Sequence, residues 1–425
     1  MSVFQLAARR VHFVGVGGIG MSGLAKILIE DGYAVSGSDL SLNRNTEELR
    51  RLGATVFQGH RAEQAQGAEL IVITSAASAE TNPEIRWGAE HGVPILKRAV
   101  FLGQLMGQKQ GIAISGTHGK TTTTAMIATT LLQAGLDPTI ACGGDLLAID
   151  SNARLGRGPH FVAEADEFDR SFLQFPAPIR VITNVEADHL DLYGAMDALL
   201  AAFHEFAASG TVVLNADDPH TVAIADEIGG RAVRFFPSRG APAGLQLAVP
   251  GEHNVANALA ALAVAELAGV DRRVAVEALN GFRGTRRRLE TMGLARGVEV
   301  IDDYAHHPTE IRASLKALKG RNPSRLVCVF QPHLYARTKD LFEDFTTAFG
   351  DADELVIVDT YSPAGREEAR EVTSEDLARE TGARYIPTLE QAAQAIDPPS
   401  GAIVVAMGAG SITRLPALLL KRLRS

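Results

Sequence analysis

Along this chain, short apolar runs alternate with longer stretches of helical periodicity, and a glycine or an acid often stands where a run ends. Val11 to Val16 reads as a strand, Met21 to Glu30 as a helix, Ala34 to Asp39 as a second strand and Leu70 to Thr74 as another. Such a series of strand, helix and strand predicts a parallel sheet with helices on both faces. The pattern restarts near residue 109. Ile112 to Ser115 is strand-like, an amphipathic helix is expected over Ala125 to Leu132, and strands are expected at His160 to Ala163, Arg180 to Thr183 and Thr211 to Leu214. A long helix is expected over Asn254 to Ala268. A third series places strands near Val298 to Ile301, Leu326 to Phe330, Leu355 to Val358 and Ala402 to Ala406. Three α/β domains follow, over residues 1–108, 109–292 and 293–425.

Two of the strand ends carry phosphate-binding patterns. Gly116-Thr117-His118-Gly119-Lys120-Thr121-Thr122 stands between a strand and a helix. Backbone N–H groups of such a loop point inward, the helix dipole favours anions and the lysine reaches terminal phosphates. The residue after the lysine is a usual Mg²⁺ ligand, here Thr121. The first glycine of the standard pattern is replaced by Ile114, so the strand and helix context carries the reading of ATP or GTP binding. Lys120 is the only lysine between Gln110 and Arg312, which marks it out even where arginine is used freely. The other pattern, Gly15-Val-Gly17-Gly18-Ile19-Gly20, follows the first strand, and Asp39 lies at the distance of a ribose-binding acid. It fits NAD, FAD or another nucleotide diphosphate. The first domain therefore reads as Rossmann-like and the second as a P-loop ATPase type, with a further Rossmann-like α/β domain behind them.

Composition narrows the classes. A net charge of −9 argues against broad nucleic-acid or acidic-membrane binding. The two cysteines, Cys142 and Cys328, stand in strand-like apolar contexts and read as buried thiols in a cytoplasmic protein. No stretch approaches the length of a membrane span.

Acids, histidines and arginines cluster after the remaining strands. Glu164, Asp166, Glu167 and Asp169 follow one of them, and Glu164 is placed as a Mg²⁺ ligand because hard cations take carboxylate oxygen. His189 lies in Thr183-Asn-Val-Glu-Ala-Asp-His-Leu-Asp191 as a metal ligand, a proton carrier or a loop residue. His253, Asn254 and Asn257 open the long helix, Asn254 as an N-cap or all three toward a nucleotide base. Arg286-Arg287-Arg288 reads as a solvated run or as a closure over a transferring phosphoryl group. Asp302-Asp303-Tyr304-Ala-His306-His-Pro308 and Gln331-Pro-His333-Leu-Tyr-Ala-Arg337 end two strands of the third series, where its crevice is expected.

With these residues assembled, the chain resembles the Mur ligases from Val11 to Leu415, with the motifs in family order. It is most similar to the alanine-adding branch, through Ala163 to Glu167, Thr183 to Asp191, Asp302 to Glu310 and Phe330 to Thr338. The Arg287-Arg-Leu-Glu290 run looks more like the branch that attaches a recycled tripeptide. The resemblance implies ATP-dependent joining of L-alanine to the lactyl carboxylate of UDP-N-acetylmuramate through an acyl phosphate, in peptidoglycan precursor synthesis. It implies UDP-sugar contacts at Gly17, Gly18, Ile19, Gly20 and Asp39. ATP contacts are implied at Gly116 to Thr122, His253, Asn254, Asn257, Arg287 and Asp303, and catalytic roles for Lys120, Glu164 and His189. Mg²⁺ (or Mn²⁺) is implied at Thr121, Glu164 and His189, and the amino acid at Tyr304, His306, His333 and Arg337. A monomer or homodimer with small-molecule partners is implied. Phe168, Arg170 and Leu334 depart from the family pattern, and only fifteen residues separate Arg234 from Pro250 where a longer insert is usual. A nicotinamide-dependent oxidoreductase with an accessory NTPase domain, or a non-catalytic nucleotide switch, is the alternative from another class.

Overall fold

The structure, a computed structural model, describes residues 2–75, 77–188, 190–228, 233–237, 240–362 and 370–424. The chain forms two compact units, Met1–Leu247 with Val255–Phe282, and Ala248–Asn254 with Arg283–Ser425. The first unit holds two sheets and the second holds one.

The first sheet consists of β1 (Arg10–Val14), β2 (Ala34–Asp39), β3 (Thr55–Gln58), β4 (Leu70–Ile73) and β5 (Ile95–Lys97), in the order β3-β2-β1-β4-β5. Every described pairing in it is parallel. The second sheet takes β6 (Gln110–Ser115), β7 (Thr139–Leu146), β8 (Ser151–Arg154), β9 (His160–Glu164), β10 (Ile179–Ile182), β11 (Thr211–Asn215) and β12 (Val233–Phe236), in the order β12-β11-β10-β6-β9-β7-β8. Only the β7–β8 pairing among these is antiparallel. Strand β6 lies centrally beside β9 and β10, so the loops after all three open on the same edge.

A single apolar cluster runs from Phe13 on β1 and Leu24 on the helix Ile19–Glu30 to Phe161 on β9, with Phe172 and Phe203, from a turn and a helix of the same unit, packed near it. The helix Ile19–Glu30 links the two sheets. Asn152 on β8 donates to Ile19 O at 2.8 Å, and Gly23 leaves room for that amide, since a Cβ there would overlap it. The expected amphipathic helix is in fact Lys120–Gln133, buried from Thr121 through Leu131. Its buried residues mix threonines with Ala125, Met126, Ile127, Ala128 and Leu131, so it is buried on every side rather than along one face. Thr130, for instance, donates its hydroxyl to Met126 O, so the polar atom is satisfied within the helix.

The second unit's sheet consists of β13 (Glu290–Ala295), β14 (Val298–Asp303), β15 (Leu326–Phe330), β16 (Glu354–Ile357), β17 (Arg384–Tyr385) and β18 (Ile403–Met407). Its order is β13-β14-β18-β15-β16-β17, with β13 antiparallel to β14. Alternation sorts its side chains. Val327 and Val329 enter the cluster with Leu415 and Leu419, whereas Leu326, Cys328 and Phe330 enter the one with Leu315 and Phe345. Both faces are thus covered, and β15 is buried throughout. Cys142 and Cys328 are buried thiols, as expected.

A polar knot sits under the first sheet. Glu84 is fully buried and accepts from Ser38 Oγ at 2.6 Å, while His12 Nε2 lies at 3.2 Å and His60 Nδ1 at 2.9 Å. Burial opposes ionisation of Glu84, but hydrogen bonds with His12, Ser38 and His60 outweigh it and hold the carboxyl below its ordinary 4.5. Its stabilising contribution is therefore present above about pH 4.5 and lost as pH falls through the lower folded value. Glu84→Gln is expected to destabilise the first unit by about 1–3 kcal/mol at pH 7 and to flatten its acid limb below pH 4.5. Urea unfolding at a series of pH values measures both effects, and an unchanged acid limb would remove this role from Glu84.

Candidate active site

The residues that end β6, β9 and β10 converge in the first unit. After β6, Gly116 has φ +122° and Gly119 has φ +82°, and a Cβ at either would overlap Thr183 Oγ1 or Asn257 Oδ1 respectively. The loop after β10 staples the glycine loop in place. Thr117 N donates to Asn184 O at 3.0 Å and His118 N to Asn184 Oδ1 at 2.9 Å, while Thr183 Oγ1 donates to His118 O at 2.6 Å. Asn257 accepts from Thr123 Oγ1 at 3.1 Å, which joins the long helix Glu252–Leu267 to the first turn after the loop.

Lys120 opens the helix and turns its ammonium back under the loop. Its Nζ donates to Gly116 O at 2.6 Å and Thr117 O at 3.2 Å, and lies 2.9 Å and 3.0 Å from the two oxygens of Glu167. Burial disfavours the ammonium, but Glu167, Asp166 and Glu164 outweigh it, so its pKa is raised and it stays charged. Glu164 turns elsewhere, accepting from Gly143 N at 2.9 Å. Thr121 borders the neighbouring Gly144 of the same strand. Thr121 presents its methyl carbon, not its hydroxyl, to Gly144, and the hard oxygens of Glu164 and Thr121 are of the kind that suits Mg²⁺. His189 lies outside the described residues. Thr122 is buried in the first helical turn.

At the other glycine loop, Gly15 takes φ +81° and Gly18 caps the helix from Ile19 without a side-chain hydrogen bond. Asp39 accepts from Gly17 N at 2.8 Å, so this acid also shapes the loop. Asn43 and Asn45 both donate to Gly17 O. The Arg98 guanidinium reaches over Gly20 so closely that a Cβ there would touch it. Arg98 thus places a cation beside this glycine loop, and nothing in its local sequence pointed to it.

The second unit holds the remaining candidates. Asn254 is not an N-cap, because the helix begins at Glu252, and its amide instead donates to Pro250 O at 2.6 Å. His253 folds over Gly251, and burial, aided by Arg288, pushes its imidazole down to about 4 although the ring keeps some solvent contact. Arg287 adopts φ +58°, donates to Gly408 O at 2.7 Å, lies 3.5 Å from Asp302 and covers the Tyr304 ring at 4.9 Å. Arg288 stands 5.1 Å from the centre of that ring, with Glu310 3.7 Å away. His306 meets Tyr304 edge-on and His333 at 6.2 Å. Burial, then Arg337 and Arg288, lower His306 to about 4 against the pull of Glu310. Arg337 lies 3.4 Å from His333 Nδ1. Tyr361, which no motif singled out, stacks on His333 at 5.7 Å and is fixed by a bridge to it.

Three stretches match family models. Residues 10–110 match "Mur ligase family, catalytic domain", 114–244 the "Mur ligase middle domain" and 287–410 the "Mur ligase, glutamate ligase domain". The chain is 42% identical to the UDP-N-acetylmuramate–L-alanine ligase of Geobacter sp. (strain M21), with 98% of each chain covered. It aligns with the crystal structure of the UDP-N-acetylmuramate-alanine ligase of Thermotoga maritima at a TM-score of 0.83 and 30% identity, covering 97% of this chain and 98% of that one. A murein peptide ligase from Psychrobacter arcticus shares the fold at a TM-score of 0.74 and 24% identity, covering 98% and 99%.

Asp303, at the end of β14, is buried, and this burial pushes its carboxyl up to about 6 against the pull of Ser314 and Arg288. The folded state then binds the proton more tightly than the unfolded state, so stability falls as pH rises from about 4 to about 6. The cost at neutral pH is about 3 kcal/mol. Asp303→Asn is expected to stabilise the second unit at pH 7.5 and to abolish that slope. Denaturant unfolding followed from pH 4 to 8 tests it, and a variant less stable than the parent at pH 7.5 would contradict the assignment.

Proposed function

The chain belongs to the Mur ligase family, and on that premise we propose that it joins L-alanine to the lactyl carboxylate of UDP-N-acetylmuramate as ATP becomes ADP and phosphate. The observation that carries this reading is the match at 42% identity, with 98% of both chains covered, to a ligase of that name. The murein peptide ligase likeness, at 24% identity, speaks for the fold alone. An oxidoreductase or a nucleotide switch has no comparable support.

The proposed division is a UDP-sugar domain over 1–108, an ATP domain over 109–292 and an amino-acid domain over 293–425. Gly17 to Gly20 and Asp39 receive the UDP portion, with Arg98 beside the diphosphate. Gly116 to Thr122 and Asn257 receive ATP, and the family resemblance also implies ATP contacts at His253, Asn254, Arg287 and Asp303. Thr121, Glu164 and His189 would hold Mg²⁺, or Mn²⁺, which when bound neutralises phosphate charge. The lactyl carboxylate oxygen attacks the γ-phosphorus and the bond to ADP breaks. The alanine amine then adds to the acyl carbon, and phosphate leaves as the amide forms. Lys120 stabilises charge on the moving phosphoryl group. Arg337 pairs with the alanine carboxylate, and Tyr304, His306 and His333 enclose the methyl group. Reduced, buried Cys142 and Cys328 fit a cytoplasmic setting.

Phosphate release from purified protein with ATP, Mg²⁺ and UDP-N-acetylmuramate, measured against a panel of amino acids and the tripeptide, tests the reading. L-alanine is expected to be preferred; faster turnover of the tripeptide would reassign the substrate while leaving the ligase chemistry. Lys120→Ala is expected to lose about 3–5 kcal/mol of transition-state stabilisation and to keep UDP-N-acetylmuramate binding within a few-fold. A variant with a tenth of the parental rate would sink that role. Arg337→Ala is expected to raise KM for L-alanine far more than KM for ATP, and equal changes would place Arg337 outside the amino-acid site.

A further inference from the structure

Four acids follow β9, and two of them are aimed in different directions. Glu164 faces β7, whereas Glu167 faces the lysine of the phosphate loop. Glu167 is 1% exposed, so its carboxylate has lost nearly all contact with water. Its backbone is fixed from three sides. Tyr193 Oη donates to Glu167 O at 2.6 Å, Arg170 N donates to the same oxygen at 3.0 Å, and the turn that follows is pinned by Phe172. The Phe172 ring packs against Phe203 at 5.3 Å and Phe206 at 4.9 Å. The carboxylate is therefore delivered to Lys120 by the core rather than by a mobile side chain at the surface.

An ammonium has three protons. Lys120 Nζ has four acceptors within reach, two loop carbonyls and both oxygens of Glu167. An incoming phosphate oxygen must displace one of them. The carbonyls are neutral and are the weaker acceptors; the carboxylate forms the charge-assisted bonds. We propose that Glu167 is a positioning residue that neutralises and aims Lys120, so that the lysine gives up a loop carbonyl and keeps its carboxylate when it takes the γ-phosphate. This rests on the ligase reading for its effect on turnover, but not for its effect on nucleotide affinity. Two opposite consequences follow. The Glu167 charge repels nucleotide phosphates and weakens ADP and ATP binding. The same charge holds the lysine where phosphoryl transfer needs it and raises kcat.

Glu167→Gln keeps the shape and removes the charge. It is expected to bind ADP about three- to tenfold more tightly, as removal of a nearby like charge requires, while kcat falls at least about tenfold. Glu167→Asp keeps the charge and shortens the reach. It is expected to bind ADP within about threefold of the parent and to lose kcat to an intermediate degree. Affinity then follows charge and turnover follows reach, a split that loosening of the fold does not produce. ADP affinity is read by calorimetry on the full chain, with UDP-N-acetylmuramate binding as the check on folding, and kcat by phosphate release. Weaker ADP binding in Glu167→Gln, an unchanged kcat, or a raised Mg²⁺ requirement in either variant would overturn the proposal, the last by making Glu167 a metal ligand. If Glu167→Gln fails to fold, the Glu167→Asp variant decides: a tenfold change in its ADP affinity overturns the proposal. A parent without ligase activity would sink the ligase reading, and the ADP measurement would still decide the charge argument.

Discussion

A parallel strand that runs into a helix leaves its last carbonyls and the helix's first N–H groups at one edge of the sheet, and no partner within the sheet can satisfy them all. The whole arrangement follows from how this chain meets that constraint. After β1 and β6 it supplies glycines, so the backbone itself lines the edge. After β9 and β10 it supplies acids, asparagine and threonine, which tie neighbouring loops together. Asn184 bonds both to the N–H of His118 and to its carbonyl, and Thr183 to that carbonyl as well. These bonds hold the loop around Lys120 in one arrangement, and a preorganised loop needs little rearrangement during phosphoryl transfer.

Much of this was legible in the chain. Strand β2 and strand β15 fall at the residues their patterns mark. Both glycine loops stand where a strand-to-helix transition places them. Of the strands that escaped notice, β3, β5, β8 and β17 have four residues or fewer and β12 and β13 lie at sheet edges, whereas β7, eight residues long and inside its sheet, is interrupted by Gly143 and Gly144. They are specified by pairing with a neighbour, which no local pattern records. The helix after the phosphate loop was located but misjudged in surroundings, because it is buried on every side rather than along one apolar face.

The site was legible residue by residue and not in its pairings. Glu164 and Glu167 stand three positions apart in one acidic run, yet one bonds to β7 and the other to Lys120. Arg98 and Tyr361 are brought in by chain that is distant in sequence, and no motif surrounds them. Asn254 shows the reverse error. A residue type that favours N-caps sits two positions inside the helix, which had already begun at Glu252.

Charge in the second unit limits what its histidine can do. Leu334 stands, buried and at φ +69°, where the family pattern has an arginine, so the cations felt by His306 are Arg337 and Arg288. With burial they hold that imidazole near 4. An α-amino group keeps its proton to about pH 8, roughly four units higher. A base that weak does not take the proton from an alanine ammonium at neutral pH. On the proposed reading, His306 instead helps to enclose the methyl group through its neutral ring, whose Nδ1 lies 3.1 Å from Tyr304 O. An ammonium has no lone pair, so its proton has to leave before the amine attacks; only the further proton released as the amide forms can leave with the phosphate. The pocket's contribution is thus to place a nucleophile deprotonated elsewhere, consistent with a protein that works here by position and charge rather than by proton transfer.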